Sequence, residues 1–236
     1  MGRALRLICK SLFLSSVALL SLFALYTIYI VVTPFRPTHL PPLRDGDIVF
    51  QTTYNTQTAA ILIATHSIYS HMGIVHVKNG MPYVIEAAGP VREISLERWV
   101  KKGVGQRVRI MRHDTLTTKQ QKHIIRAAQG FLGKPYDPFF LSGDERIYCS
   151  ELVYKAFKRG AGIMLGKEEW LADLHVHNPV VDALIGARWQ RYPLCAGVAD
   201  YAKCHAVIMR QKIVSPYIIR DDETLTSIYS NYGIPF

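Results

Sequence analysis

Apolar and polar positions recur along this chain with two periods, and each change of period marks an element. The first stretch has no period. Leu12 to Val32 is apolar and carries no charge, which matches the roughly 20 residues a helix needs to cross a bilayer. Thr33-Pro-Phe-Arg-Pro-Thr-His-Leu-Pro-Pro42 follows, and its four prolines suit a stiff extended spacer. Asp45 to Gln51 reads as a turn entering a short strand. Thr56 to about Ser67 has helical spacing at Ala60, Ile61, Ile63 and Ala64, with threonine available as a cap. Further on, Ser95 to Lys102 predicts a short helix and Arg107 to Met111 a strand. Thr117 to Phe131 predicts an amphipathic helix with Ile124, Ile125, Ala128, Phe131 and Leu132 on one stripe. Cys149 to Arg159 predicts another, buried through Leu152, Val153, Ala156 and Phe157 and stopped by Gly160. In the last third, His205 to Met209 and Ile213-Val214 read as strands.

The segment between the first two helices is the most informative. His71 to Val77, Asn79-Gly80, and Pro82 to Ala88 form a β-hairpin pattern, since Asn-Gly supplies the two positive-φ residues of a type I′ turn. Counting outward from a two-residue turn sets Val75 against Val84, Ile74 against Ile85, and Gly73 against Glu86. His71 then shares a sheet face with Glu86 as its diagonal neighbour, roughly 7–8 Å away. Gly73 puts no side chain between them. A one-residue slip would send the two to opposite faces.

Composition narrows the class. Of the 236 residues, 49% are hydrophobic and 19% charged. After the N-terminal segment, roughly 200 residues remain, enough for one domain with its own core. Arg3, Arg6 and Lys10 precede the apolar run, while Arg36 and Arg44 follow it. That bias favours a cytoplasmic N-terminus and an exported domain. A cleaved signal peptide competes with an anchor. However, the run exceeds the usual apolar core of about 7–15 residues and ends on bulky residues rather than at a small-x-small site. The expected organisation is residues 1–33 as basic stub and anchor, 34–44 as spacer and 45–236 as the domain. The net charge of +10 is dispersed, without the concentrated stripe that nucleic acid would require, and suits an anionic membrane or wall surface.

Four cysteines are present. Cys195 and Cys204 are close enough to pair in an oxidising compartment. Cys149 has no nearby cysteine and falls at a helix start, where the dipole favours the nucleophilic thiolate; the bland alternative is a buried inert thiol. A histidine on a strand with an acid on the same face supplies a base and its orienting group, so Cys149, His71 and Glu86 form a candidate catalytic set. Tyr148 or Gln51 could donate to an oxyanion alongside the Cys149 amide, and Tyr136-Asp137 could line the cleft. Asp47 reads as a turn anchor, and Ser150 and Glu151 as helix-start residues. His175-Val-His177 has strand spacing for a metal but no acid or cysteine partner, so neither metal nor cofactor is expected.

Gly46-Asp-Ile-Val-Phe-Gln51, Ser70-His-Met-Gly-Ile-Val75, Val84-Ile-Glu-Ala87 and Tyr148-Cys-Ser-Glu-Leu-Val153 resemble the YiiX/YebB-like branch of the NlpC/P60 superfamily. The resemblance covers about Asp45 to Phe157. It implies an α+β, circularly permuted papain-like fold, here behind a transmembrane helix, in which histidine and acid precede the cysteine. It also implies catalytic roles for Cys149, His71 and Glu86, and a substrate that is either a cell-wall peptide amide or an acyl group of a lipid. Acyl transfer, and an anchored binding module without turnover, are the alternatives to hydrolysis.

Overall fold

The computed structural model describes Lys10, residues 13–25 and residues 39–233. Residues 13–25 are helical (α1). No described helix is long and apolar enough to cross a membrane. The transmembrane helix expected over 12–32 is therefore not established among the described residues, and its second half lies outside them. The end of the predicted spacer does not stand free. Leu40 and Leu43 pack against a core cluster, and the Pro42 carbonyl accepts a hydrogen bond from Arg112 at 2.9 Å.

The domain is built on a six-stranded sheet in the order β4-β3-β2-β1-β5-β8, antiparallel between every pair of neighbours. Its strands are β1 (Ile48–Gln51), β2 (His71–Lys78), β3 (Met81–Ala87), β4 (Val91–Ser95), β5 (Arg109–His113) and β8 (Leu225–Ser230). Alternation along each strand sorts side chains between two cores. Ile48, Phe50, Met72, Ile74 and Ile85 lie under α4 (Thr118–Gln129) and α5 (Cys149–Ala161). Val49, Val75 and Val84 point the other way, onto Trp99 and Leu96 of the short α3 (Leu96–Val100). The hairpin has the register counted from Asn79-Gly80: Ile74 pairs with Ile85 and Val75 with Val84, and both turn residues have positive φ, at 51° and 76°. Gly73 is required at its position. A Cβ there would lie 2.5 Å from Val84 Cγ1 and 2.8 Å from the Ile85 carbonyl oxygen.

A second unit is assembled from α2 (Thr58–Ala64), β6 (Glu169–Trp170), α6 (Pro179–Gly186), α7 (Tyr201–Ile208) and β7 (Lys212–Ile213), while α8 (Pro216–Arg220) packs its Ile219 into the core under α5. Cys195 and Cys204 are joined in a disulfide within the second unit. Three sequence expectations need correction. His205 to Ile208 is helical, because Asp200 caps α7 by accepting from the Lys203 amide and the disulfide ties the helix to the preceding turn. The α2 start has no side-chain cap; Gln57 occupies that position. Gly160 does not stop α5, which runs to Ala161 and ends on Gly162 at φ 72°. What Gly160 permits is contact with α4, since a Cβ there would lie 2.5 Å from both Cα and N of Ile124.

Candidate active site

Cys149 opens α5 with Tyr148 as its N-cap residue, and its thiol is 4% exposed. The first turn is tied down from two sides. Ser150 Oγ donates to the Val214 carbonyl at 2.7 Å, and the Val214 amide donates to the Tyr148 hydroxyl at 3.1 Å. Glu151 accepts from the Gly143 amide at 3.1 Å and pairs with Lys155 at 2.7 Å. Ser150 and Glu151 thus secure the tail and a loop over the helix start, beyond what helix-start preference foresees.

His71 is the first residue of β2, at the end of the sheet. Its Nε2 lies 2.7 Å from Glu86 Oε2, its ring packs on Trp99 with centroids 5.9 Å apart, and it is within electrostatic reach of Cys149. Glu86 is fully buried. Its other oxygen accepts from Arg92 Nε at 3.0 Å and from the Lys102 ammonium. Burial penalises charge on His71, yet hydrogen bonds and attraction from Cys149 and Glu86 outweigh it and raise its pKa to about 9. Burial likewise opposes ionisation of Glu86, but His71 and Lys102 overcome it and hold the carboxyl down to about 2. Both partners therefore carry charge at neutral pH.

These shifts set a pH window. The His71 contribution to stability is complete below 6.5, its unfolded value, and is lost as pH rises through about 9. The Glu86 contribution is complete above 4.5 and is lost as pH falls through about 2. Thermal melts of the wild type should thus show their highest Tm between pH 4.5 and 6.5 as far as this pair decides it. In Glu86→Gln the alkaline fall should move to lower pH, because His71 loses the charge that raises it. An unshifted alkaline limb would contradict the pairing.

The other expected residues divide. Tyr136 lines a polar cleft together with His71 and Glu86, and burial with the neighbouring Cys149 keeps its hydroxyl protonated far above the usual range. Asp137 does not face the cleft; it accepts from the Phe139 and Leu141 amides at 2.9 and 2.6 Å. Gln51 is turned from the thiol: its amide donates to the Trp99 carbonyl at 3.3 Å, and its oxygen sits where a Cβ on Gly103 would intrude. Tyr148 Oη accepts from the Val214 amide, which leaves its own proton uncommitted, and Tyr148 lines the same cleft as Cys149. The Gln51 expectation is corrected because its amide is committed to Trp99, and Tyr148 and Tyr136 are the side-chain donors that the geometry leaves. Asp47 does anchor a turn, accepting from the Arg44 amide and Arg112. His175 is not on a strand; its ring stacks on His66 with centroids 3.5 Å apart. Sequence reasoning missed Arg92 and Lys102. The alternation Val91-Arg-Glu-Ile-Ser95 was the available signal for Arg92, which sits directly opposite Glu86.

The thiol lies between two clefts. One, of about 830 Å³ with its open mouth, is walled by Cys149 and by apolar side chains of α2, α6 and α7. The other, of about 920 Å³, is lined by His71, Glu86, Arg92, Lys102 and Tyr136. Ser70 borders both.

Residues 42–229 match the family described as permuted papain-like amidase, YaeF/YiiX, C92. The chain belongs to this family. It is 33% identical over 192 residues to the YiiX protein of Escherichia coli strain K12, covering 81% of this chain and 88% of that one. A crystal structure of yiiX from Escherichia coli O157:H7, described as a metalloprotein, is similar with a TM-score of 0.72 at 33% identity. That similarity covers 80% of this chain and 98% of the solved one. The permuted papain-like α+β fold follows, and the family supports a cysteine hydrolase-type function.

Proposed function

We propose that Cys149, His71 and Glu86 are the catalytic set of a cysteine hydrolase that cleaves an amide or ester through an acyl-enzyme. The observation that carries this is the His71 imidazole, 2.7 Å from buried Glu86, with its charged form favoured by Cys149 as well. Nε2 faces Glu86, so Nδ1 is the nitrogen that holds the proton exchanged with the thiol. The thiolate attacks the carbonyl carbon. His71 returns the proton to the leaving amine or alcohol, and a thioester remains. Water then attacks with His71 as base, and the acid leaves. Glu86 holds the ring and steadies the imidazolium. The Cys149 amide at the helix start and the Tyr136 hydroxyl would receive the oxyanion.

Membrane attachment belongs to the same reading. In α1, Phe13, Leu14, Leu19, Leu20, Phe23 and Leu25 are each more than 60% exposed, an apolar surface that suits lipid. The disulfide suits an exported, oxidising location. Metal chemistry is not carried over from the metalloprotein relative. Among the described residues no group of three or more His, Cys, Asp or Glu could hold an ion, and the His66 and His175 rings lie 6° from parallel instead of converging on one point.

The test is the rate of iodoacetamide labelling of Cys149 against pH. Cys149 should label faster than a free thiol at neutral pH, and His71→Ala should abolish the difference. Labelling at the free-thiol rate, unchanged by His71→Ala, would sink the proposal.

A further inference from the structure

The cleft beside His71 holds donors that the catalytic set leaves unused. Arg92 and Lys102 line it with side chains 43% and 37% exposed, and both reach the same oxygen of Glu86. Arg92 does so through Nε. Its Nη1 and Nη2 groups make no hydrogen bond among the described residues. Glu86 is the one acidic side chain in the lining and is fully buried. With His71 protonated, three cations therefore face one carboxylate. The carboxamides of the wall are committed. Asn55 Nδ2 donates to Thr53 Oγ1 at 3.2 Å, and its oxygen accepts from the Gln57 amide at 2.8 Å. Gln57 Nε2 donates to the Pro138 carbonyl at 3.0 Å. Ser70 Oγ accepts from the Thr53 amide at 3.1 Å, which leaves its proton to give.

What these groups share is that they donate, and most of them are charged. An ammonium group entering the cleft would meet like charge. A carboxylate or a phosphate matches it, since two of its oxygens can take Nη1 and Nη2 together, the bidentate geometry that a guanidinium favours. The same cleft also fixes which half of a substrate it receives. A general acid must lie within hydrogen-bond reach of the leaving atom. His71 lines this cleft and not the apolar one, so the leaving portion belongs here.

Resting on the hydrolase reading above, we propose that the leaving portion of the substrate carries a carboxylate or a phosphate, bound by Arg92 and Lys102. Arg92 bridges two anions, with Nε on Glu86 and its two Nη groups on the substrate. Lys102 adds charge from the other side of the same carboxylate. The acyl portion plays no part in this recognition.

The test uses the full-length chain and the acetyl esters of 3-hydroxybenzoate, of its methyl ester and of 3-hydroxyphenyl phosphate. Each kcat/KM is divided by the alkaline hydrolysis rate of the same ester, which removes differences in leaving-group reactivity. At least one anionic ester should then exceed the methyl ester by about tenfold, the size of a hydrogen bond to a charged group. A preference for carboxylate, for phosphate or for both names the source, and each supports the site. Arg92→Gln and Lys102→Gln touch Glu86 and should slow all three esters, but they should also erase most of the anionic preference. Arg92→Lys keeps the charge, loses the paired donors and should keep only part of it. Thermal melts check folding, and the wild-type ratios decide the matter should a variant unfold. Equal corrected rates for all three esters, hydrolysed through Cys149, overturn the anion proposal and leave the hydrolase reading intact. A preference that survives both Arg92→Gln and Lys102→Gln overturns the assignment to these residues. If Cys149 labels fast and no ester is hydrolysed, the ratio of iodoacetate to iodoacetamide labelling decides: a ratio above that of a free thiol and lowered by Arg92→Gln supports the site, and any other overturns it. Slow labelling, insensitive to His71→Ala, overturns both readings.

Discussion

Cys149→Ala is expected to lower hydrolysis of p-nitrophenyl acetate by about 10⁴-fold or more, to the rate set by binding and oxyanion donors alone. The size follows from the chemistry. Without sulfur no thioester acyl-enzyme forms. His71→Ala should cost nearly as much, because Cys149 then loses the group that accepts its proton and balances its charge. The double variant should be no slower than the worse single one, since the two act as a unit. Additive losses in the double variant would mean that they act separately, contradicting the proposed pairing of base and nucleophile. Each variant should keep the wild-type fold, which far-ultraviolet circular dichroism checks.

The largest stability effect is expected at Gly160. In an exposed helix, Gly→Ala stabilises by roughly 0.5–1 kcal/mol through backbone entropy. Here the added Cβ would lie 2.5 Å from Ile124 Cα and N and 2.7 Å from the His123 carbonyl carbon. These are backbone atoms of α4, so no side chain can rotate aside and the helices must separate. Overpacking of this kind costs about 1–3 kcal/mol and sometimes more. The net effect of Gly160→Ala should be destabilisation by about 2 kcal/mol, or roughly 4–8 °C in Tm for a domain this size. A rise in Tm would show that propensity outweighs helix contact at this position. Cys149 sits at the other end of the same helix, so a shift of α5 should also slow its labelling.

How far the fold was legible follows from the range of the interactions involved. The hairpin was readable because Asn79-Gly80 fixes its turn locally, and period-2 alternation then carries the register outward to Gly73. α4 was readable from its apolar stripe, and Thr117 with Gln120 closes it in a capping box. The tail was not. Val207 and Ile208 have strand preference, but the Asp200 cap and the bond from Cys204 to Cys195 impose a helix. Local propensity is a weak prior where tertiary links compete with it. β8 went unread because its strand character arises from pairing with β5 at the sheet edge.

The site divides along the same line. Sequence alone determined that His71 and Glu86 meet, since the two are joined by one short hairpin whose geometry is local. It also singled out Cys149 as a thiol at a helix start. Only the tertiary structure decided that α5 delivers this thiol to His71 from the opposite face of the sheet, that Gln51 is turned to another partner, and that Arg92 and Lys102 converge on Glu86. It alone decided the apolar cleft as well. That wall is gathered from α2, α6, α7 and the strand after them, segments far apart in the chain, and no local pattern encodes which apolar faces will be left open when they pack.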